Sequence, residues 1–425
     1  MFEHVLNIMN ACPCGRRHTL LTEECVVSKD AAVRMKDYIR KKGWRAPAVV
    51  ADENTRIFAD RLLAEFPAKV TTVAGNAHAT EIWCAKVGAF CDEEKPDVLI
   101  ACGSGSVHDI TRYVACEKKL PFLSYPTAAS VDGFVSGVAA MTWHGQKLTF
   151  PSVPPVAAFA DPEVFSSAPG RLTASGVGDV LGKYVSLFDW RAGQIFTGEY
   201  LCEELCSLES EAVDEVIGAL ENRGKIGEAA YCEKVMNALL ISGLTIQLSG
   251  NSRPASAAEH HLSHLWEMHR INETNDGLHG EQVAVGLLLA ARRYEKAFRD
   301  GLDYEKIAAI DPVRVMDRNR LEPIFRDLTD GILRENQPDG TPASSSLARI
   351  RLTGDTDARL REAARTILPP SEEIERLLKL AGTPVTTAEI GLDPSPEFAA
   401  KSLAFAPYVR DRLTLLKVLA AAELD

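Results

Sequence analysis

The sequence holds no run of 18 uninterrupted apolar residues, so a membrane-spanning helix is not expected. Cysteine is sparse: ten residues scattered over 425 cannot form a disulfide scaffold. The opening Met-Phe-Glu-His has no basic segment leading into an apolar run, and no secretory signal is expected. An excess of positive charge is also missing. Lys and Arg number 47 against 59 Asp and Glu, and a net charge of −12 suits neither a general nucleic-acid binder nor an anionic-membrane binder. It still admits a small phosphorylated ligand, which needs only a local group of donors. With 46% hydrophobic and 25% charged residues, disorder and collagen-like structure are excluded. The expectation is a reduced, cytoplasmic, enzyme-sized protein.

What is present falls into two regimes. Over the first 160 residues, short β-branched runs at 48–52, 69–73, 97–102 and 121–126 read as strands. Helical patterns at 56–66, at 80–89 and before the fourth strand alternate with them. Such alternation implies βαβ units and a mostly parallel, Rossmann-like sheet. After the prolines at 151–155 and Asp161-Pro162, strand signals nearly vanish. Long helical patterns follow at 175–195, 201–220, 226–250, 256–270 and 280–299. The expected organisation is an α/β domain over 1–160 and an all-α domain over 161–425.

The third strand runs directly into Gly103, Ser104, Gly105, Ser106, Val107, His108 and Asp109, and a helical pattern resumes at Ile110. A strand, small residues and a helix start make an anion site, because free backbone N–H groups face the ligand. His108 stands where the dinucleotide fingerprint needs a third glycine, and the Gly-Lys-Ser/Thr ending of a P-loop is absent. A tight turn without ligand is the alternative for this segment alone. The next strand ends in a loop rich in hydroxyls, 127–136, with one carboxylate, Asp132. Loops at strand C-termini line the crevice of an α/β sheet, so the two loops reinforce each other. A capping role is the other reading of Asp132.

Five of the ten histidines fall within 260–279, where uniform scattering would place about 0.5. Ser256 and Glu259 read as a capping box that opens a helix. On it His260 and His264, four apart, share a face, and His261 points about 100° away. His279 begins another helix. Asp179, after Gly176 and Gly178, reads as opening an apolar helix, where a lone acid usually partners the helix dipole. Two imidazoles and a carboxylate suit a divalent ion with positions left for water and substrate. A histidine pair at this spacing is by itself more often a surface feature, and the metalloprotease His-Glu-x-x-His pattern is absent.

Taken together, five motifs carry a resemblance. They are Gly-Ser-Gly-Ser-Val-His-Asp at 103–109, Pro-Thr-Ala-Ala-Ser-Val-Asp at 126–132, Gly-Val-Gly-Asp at 176–179, Ser-Ala-Ala-Glu-His-His-Leu-Ser-His at 256–264 and His-Gly-Glu at 279–281. In order and spacing across 48–290 they resemble the iron-containing alcohol dehydrogenase and dehydroquinate synthase-like superfamily, within it most the sn-glycerol-1-phosphate dehydrogenase family. The resemblance implies a dehydroquinate synthase-like fold that binds NAD or NADP and one divalent metal ion (zinc, nickel or iron). It implies that Gly103, Ser104, Gly105, Ser106, Val107 and Asp109 cradle the dinucleotide and that Thr127, Ser130 and Ser136 continue its surface. Asp52 would take the adenine-side ribose hydroxyls, which leans toward NAD. Asp179, His260 and His279 would hold the metal, and Asp132, Asp179 and His264 are the catalytic candidates.

The implied reaction interconverts sn-glycerol 1-phosphate and dihydroxyacetone phosphate. The implied enzyme is a homo-oligomer, dimer or larger, working without nucleic acid or membrane. Arg253 and Lys183 are candidate phosphate donors. Ser104 replaces a commoner glycine, and the extra ring of His261 leaves the choice between it and His260 open. A polyol dehydrogenase, a dehydroquinate synthase-like cyclase and a noncatalytic dinucleotide-binding protein are the alternatives. Outside these motifs, Cys12, Cys14 and His18 read first as a structural turn. An auxiliary zinc site, with Cys25 or a remote residue as fourth ligand, and a redox switch are the other readings. Cys202 and Cys206 read as small buried apolar residues.

Overall fold

The apolar runs of the first 160 residues form a parallel sheet in this computed structural model, which describes residues 1–144 and 146–424. The strands are β1 (Glu24–Val27), β2 (Pro47–Asp52), β3 (Lys69–Val73), β4 (Val98–Gly103), β5 (Phe122–Pro126), β6 (Val138–Trp143), β7 (Gln146–Pro151) and β8 (Ala157–Ala160). Six of them lie in the order β1-β8-β5-β4-β2-β3 with every pair parallel, and β6 and β7 form a separate antiparallel hairpin. Strands β2 and β4 are buried along their whole length, as strands covered on both faces must be. Alternate residues feed two cores. Val49, Ala51, Ile100 and Cys102 enter one; Ala48, Val50, Leu99 and Ala101 enter the other.

The chain steps outward from β2 to β3, then crosses back to place β4 on the other side of β2. Strand order therefore reverses between β2 and β4. In an open α/β sheet the crevice at the carboxyl ends of such a pair is where ligands bind. Asp52 ends β2 and Gly103 ends β4, so the fold brings both sequence candidates to this point.

Beyond β8 the described residues are helical or irregular, through Gly170–Leu181, Lys183–Thr197, Glu203–Glu221, Glu228–Ser249, Ala258–Glu267, His279–Asp300 and shorter helices to Leu415–Ala422. The change from strand to helix thus comes at residue 160, but the compact units divide the chain differently. One unit is Met1–Val180 with Ser207–Asn251; the other is Leu181–Cys206 with Ser252–Asp425. The first unit takes back Ser207–Asn251 because Glu228–Ser249 packs on the turn Asp132–Val135 and on the helix Phe2–Ala11. That packing buries Val235, Leu239, Leu240 and Leu244, each worth about 1.5–3 kcal/mol when removed from water. In the second unit Ala258–Glu267 lies against His279–Asp300, and Trp190, Trp266 and Tyr294 are fully buried. No helix of the described residues is long and apolar enough to cross a membrane.

Candidate active site

In the first unit the crevice is built from turns that lock one another. The Oδ1 of Asp52 accepts the N–H groups of Asn54 and Thr55, both at 2.8 Å. Thr55 Oγ1 donates to the carbonyl of Cys102 at 3.0 Å, tying the end of β2 to the end of β4. Ser104 is the N-cap of the helix Gly105–Lys118, and its hydroxyl makes no capping bond. Ser104 thus leaves the first N–H groups of that helix uncapped by its side chain, the arrangement found at anion-binding helix starts. Gly105 begins the helix, Ser106 is half-buried and Val107 is buried beneath it. Thr127 donates its N–H to the carbonyl of Gly103 at 3.1 Å, and Thr127, Ser130 and Ser136 are all buried. The Oγ of Ser136 turns back to the carbonyl of Val138 at 3.1 Å.

His108 is a core residue. Its Nδ1 donates to the Ser104 carbonyl at 3.0 Å and its Nε2 accepts from Ser124 Oγ at 2.8 Å. Burial pulls its pKa down to about 3, so the ring is neutral. Asp109 faces Arg112, with Nη1 at 2.7 Å from Oδ1. The buried Arg112 also donates to the carbonyls of Gly133, Phe134 and Val138, and so clamps the loop that carries Asp132. Nothing in the sequence pattern had singled Arg112 out.

Asp179 is fully buried in the last turn of Gly170–Leu181, so it does not open a helix. The helix-dipole reading fails there, because the C-terminal end of a helix repels a carboxylate. Its Oδ2 instead accepts the backbone N–H of Asp132 at 3.0 Å, and Asp132 Oδ2 accepts from Ser242 Oγ at 2.9 Å. The helix comes this close to the 127–132 loop because Gly176 has no side chain. A Cβ there would stand 2.1 Å from the carbonyl oxygen of Ala129.

In the second unit the rings of His260, His264 and His279 cluster, with centroids 5.3 Å apart for 260–279, 6.0 Å for 260–264 and 6.1 Å for 264–279. His260 and His279 also offer ring nitrogens within 4.8 Å of each other. Gly286 makes this possible, since a Cβ at that position would meet the Glu259 carbonyl at 2.5 Å and hold the two helices apart. Each imidazole is oriented by a carboxylate: Glu259 Oε1 lies 2.7 Å from His260 Nδ1, and Glu267 Oε1 lies 3.3 Å from His279 Nδ1. This is how metal-binding histidines are held, with Nδ1 protonated and Nε2 turned to the ion. The donor set fits a divalent transition metal.

The capping box expected of Ser256 does not form. The helix starts at Ala258, and Glu259 takes the N–H of Ala257 together with His260. His261 is fully buried, has neither ring nitrogen hydrogen-bonded, and burial holds it well below its ordinary pKa. His260 rather than His261 is therefore the ring of the cluster. His264 is half-buried and also shifted well down, by desolvation first. The two candidate phosphate donors are engaged elsewhere. Arg253 pairs with Glu199 at 2.6 Å and bonds the Leu413 carbonyl, and the buried Lys183 bonds the Ala255 carbonyl at 3.0 Å.

The iron-containing alcohol dehydrogenase family matches residues 26–169. The NAD(P)+ glycerol-1-phosphate dehydrogenase of Bacillus licheniformis is 31% identical over 99% of this chain and 94% of that protein. That of Geobacillus stearothermophilus is 30% identical over 97% and 96%, and that of Bacillus subtilis 36% identical over 65% and 73%. The fold is shared with the sulfoacetaldehyde reductase of Bifidobacterium kashiwanohense solved with NAD+, at TM-score 0.61 and 18% identity over 96% of this chain and 99% of that one. It is shared too with the glycerol dehydrogenase of Schizosaccharomyces pombe, at TM-score 0.57 and 22% identity over 85% and 92%. The near full-length likeness, together with an α/β crevice and carboxylate-oriented histidines, establishes that this chain belongs to the glycerol-1-phosphate dehydrogenase family of iron-containing alcohol dehydrogenases.

Proposed function

We propose that this chain interconverts sn-glycerol 1-phosphate and dihydroxyacetone phosphate with NAD(P)(H) and one divalent metal ion. The observation that carries the reading is the pair His260 and His279, each with Nδ1 held by a glutamate. Asp179, buried and fixed at Oδ2, is the proposed third ligand. Zinc, nickel and iron all suit such a set. When bound, the metal polarises the oxygen on the central carbon and the nicotinamide carries the hydride.

The remaining work falls to the chain. The N–H groups at the start of Gly105–Lys118 receive the pyrophosphate, and Gly103, Ser104, Ser106 and Val107 shape that contact. Thr127, Ser130 and Ser136 extend the coenzyme surface. Asp52 keeps Oδ1 in its own turn, so Oδ2 is the oxygen for the ribose hydroxyls. Asp109 acts through Arg112, holding the loop in place. Asp132, anchored by Ser242, accepts a substrate hydroxyl. His264, one turn from His260, relays the proton of the central hydroxyl. No disulfide joins the cysteines of the described residues, in keeping with a cytoplasmic enzyme, and we take it to be a homo-oligomer.

The test is reduction of dihydroxyacetone phosphate by NADH and NADPH across added metals, with product chirality determined. Asp179→Ala and His279→Ala are expected to lose turnover and metal together while the fold persists. Full activity in either metal-depleted variant refutes the reading. In the oxidative direction, turnover of glycerol in place of its 1-phosphate would mark a polyol dehydrogenase, and absence of net NADH formation would mark a cyclase.

A further inference from the structure

A second group of ligand-type side chains lies outside this chemistry. The helix Phe2–Ala11 ends at Cys12, and the chain then turns through Cys14 to His18. Cys12, Cys14 and His18 offer Sγ, Sγ and a ring nitrogen within 4.8 Å of one another. Cys14 Sγ lies 3.3 Å from His18 Nε2. With bonds of ~2.3 Å to sulfur and ~2.0 Å to nitrogen, tetrahedral donors stand ~3.6 Å apart, so the spacing is close to what one ion would set.

The surroundings complete the pattern. His18 is buried, and its Nδ1 donates to the Leu248 carbonyl at 2.7 Å. A carbonyl can only accept, so the proton sits on Nδ1 and the lone pair on Nε2, which faces Cys14. The Arg16 N–H points at Cys14 Sγ from 3.4 Å, a donor that stabilises a thiolate. The segment is also fixed in place. Leu21 and Thr22 give their N–H groups to Gln247 Oε1 at 3.0 and 3.3 Å, and Gln247 Nε2 returns a bond to Thr22 Oγ1 at 2.9 Å. Cys25, the fourth ligand considered from sequence, is buried within β1 opposite Ala158, and burial raises its pKa to about 12.

We infer that Cys12, Cys14 and His18 bind a structural zinc-class ion. Two sulfurs and one imidazole are donors of the kind a zinc-class ion takes, and one further donor completes its tetrahedron. Each cysteine releases its thiol proton to solvent on binding, so the ion is lost on acidification.

The experiment uses the full chain purified under reducing conditions, with metal content by mass spectrometry and reconstitution with cobalt(II). The wild type is expected to hold about two ions per chain. Its cobalt form should show the near-ultraviolet charge-transfer band of thiolate ligation. Cys14→Ser and His18→Ala should each lose one equivalent; Cys14→Ser should also weaken the band, and Asp179→Ala should keep it. A wild-type cobalt protein without that band overturns the inference, and this readout needs no variant to fold. Full metal content in Cys14→Ser, or a disulfide among these cysteines under the same conditions, overturns it as well.

Discussion

Gly176→Ala is the sharpest test of how the first unit holds its carboxylates. The new Cβ would stand 2.1 Å from the Ala129 carbonyl oxygen, and on its other side Leu239 Cδ1 already lies at 3.1 Å. Relief needs a backbone displacement of roughly 1 Å, since the obstacle is a carbonyl and not a flexible side-chain tip. Overpacking of this kind costs about 1–3 kcal/mol, or a fall in Tm of about 2–10 °C for a body of this size. The displaced elements are the helix bearing Asp179 and the loop bearing Asp132, joined by a 3.0 Å hydrogen bond. A misplacement of about 1 Å at reacting groups lowers kcat by about a hundredfold. The assay is kcat for dihydroxyacetone phosphate reduction, with metal content and thermal unfolding on the same preparation. Gly170→Ala is the control, because its Cβ on the same helix meets nothing within 4 Å. A Gly176→Ala protein with unchanged Tm, metal and kcat would refute the reasoning.

Glu259→Gln and Glu267→Gln should each weaken metal binding by about 10–100-fold, read by competition with a chelator, since each removes the charge that orients an imidazole. Asp52→Asn keeps an acceptor for the turn but removes the charge proposed to meet the ribose. The NADP-to-NAD ratio of kcat/KM should rise by about tenfold, the equivalent of ~1.4 kcal/mol. His108 has its pKa lowered to about 3, so between about 6.5 and 3 the unfolded chain binds a proton that the folded chain refuses. Stability is therefore full above about pH 6.5 and falls by up to ~1.4 kcal/mol per unit as pH drops. His108→Asn should flatten that slope in denaturant titrations at pH 7, 6 and 5.

Strands β2 to β5 were legible because each is an apolar or β-branched run bounded by turn residues. The edge strand β1 is only four residues long, and β8 is Ala-Ala-Phe-Ala, with no β-branched residue to mark it. The interleaving of the two units leaves no trace in local pattern, because it depends on which apolar face Glu228–Ser249 finds. At the site, the histidine cluster stood out by density alone. Its orienting glutamates did not, since Glu259 has the spacing of a helix cap and Glu267 that of a solvated face. Asp179 was placed at the wrong end of its helix because Gly176 and Gly178 look like a helix start, whereas Gly176 serves a close approach to the 127–132 loop.

The Arg112 guanidinium joins pieces that have different tasks. It grows from the helix whose first turn is the proposed coenzyme contact, yet it grips the backbone on both sides of Ser136 and just beyond Asp132. The guanidinium is permanently charged and its partners there are backbone carbonyls, so the helix and the loop that bears Asp132 are held as one piece.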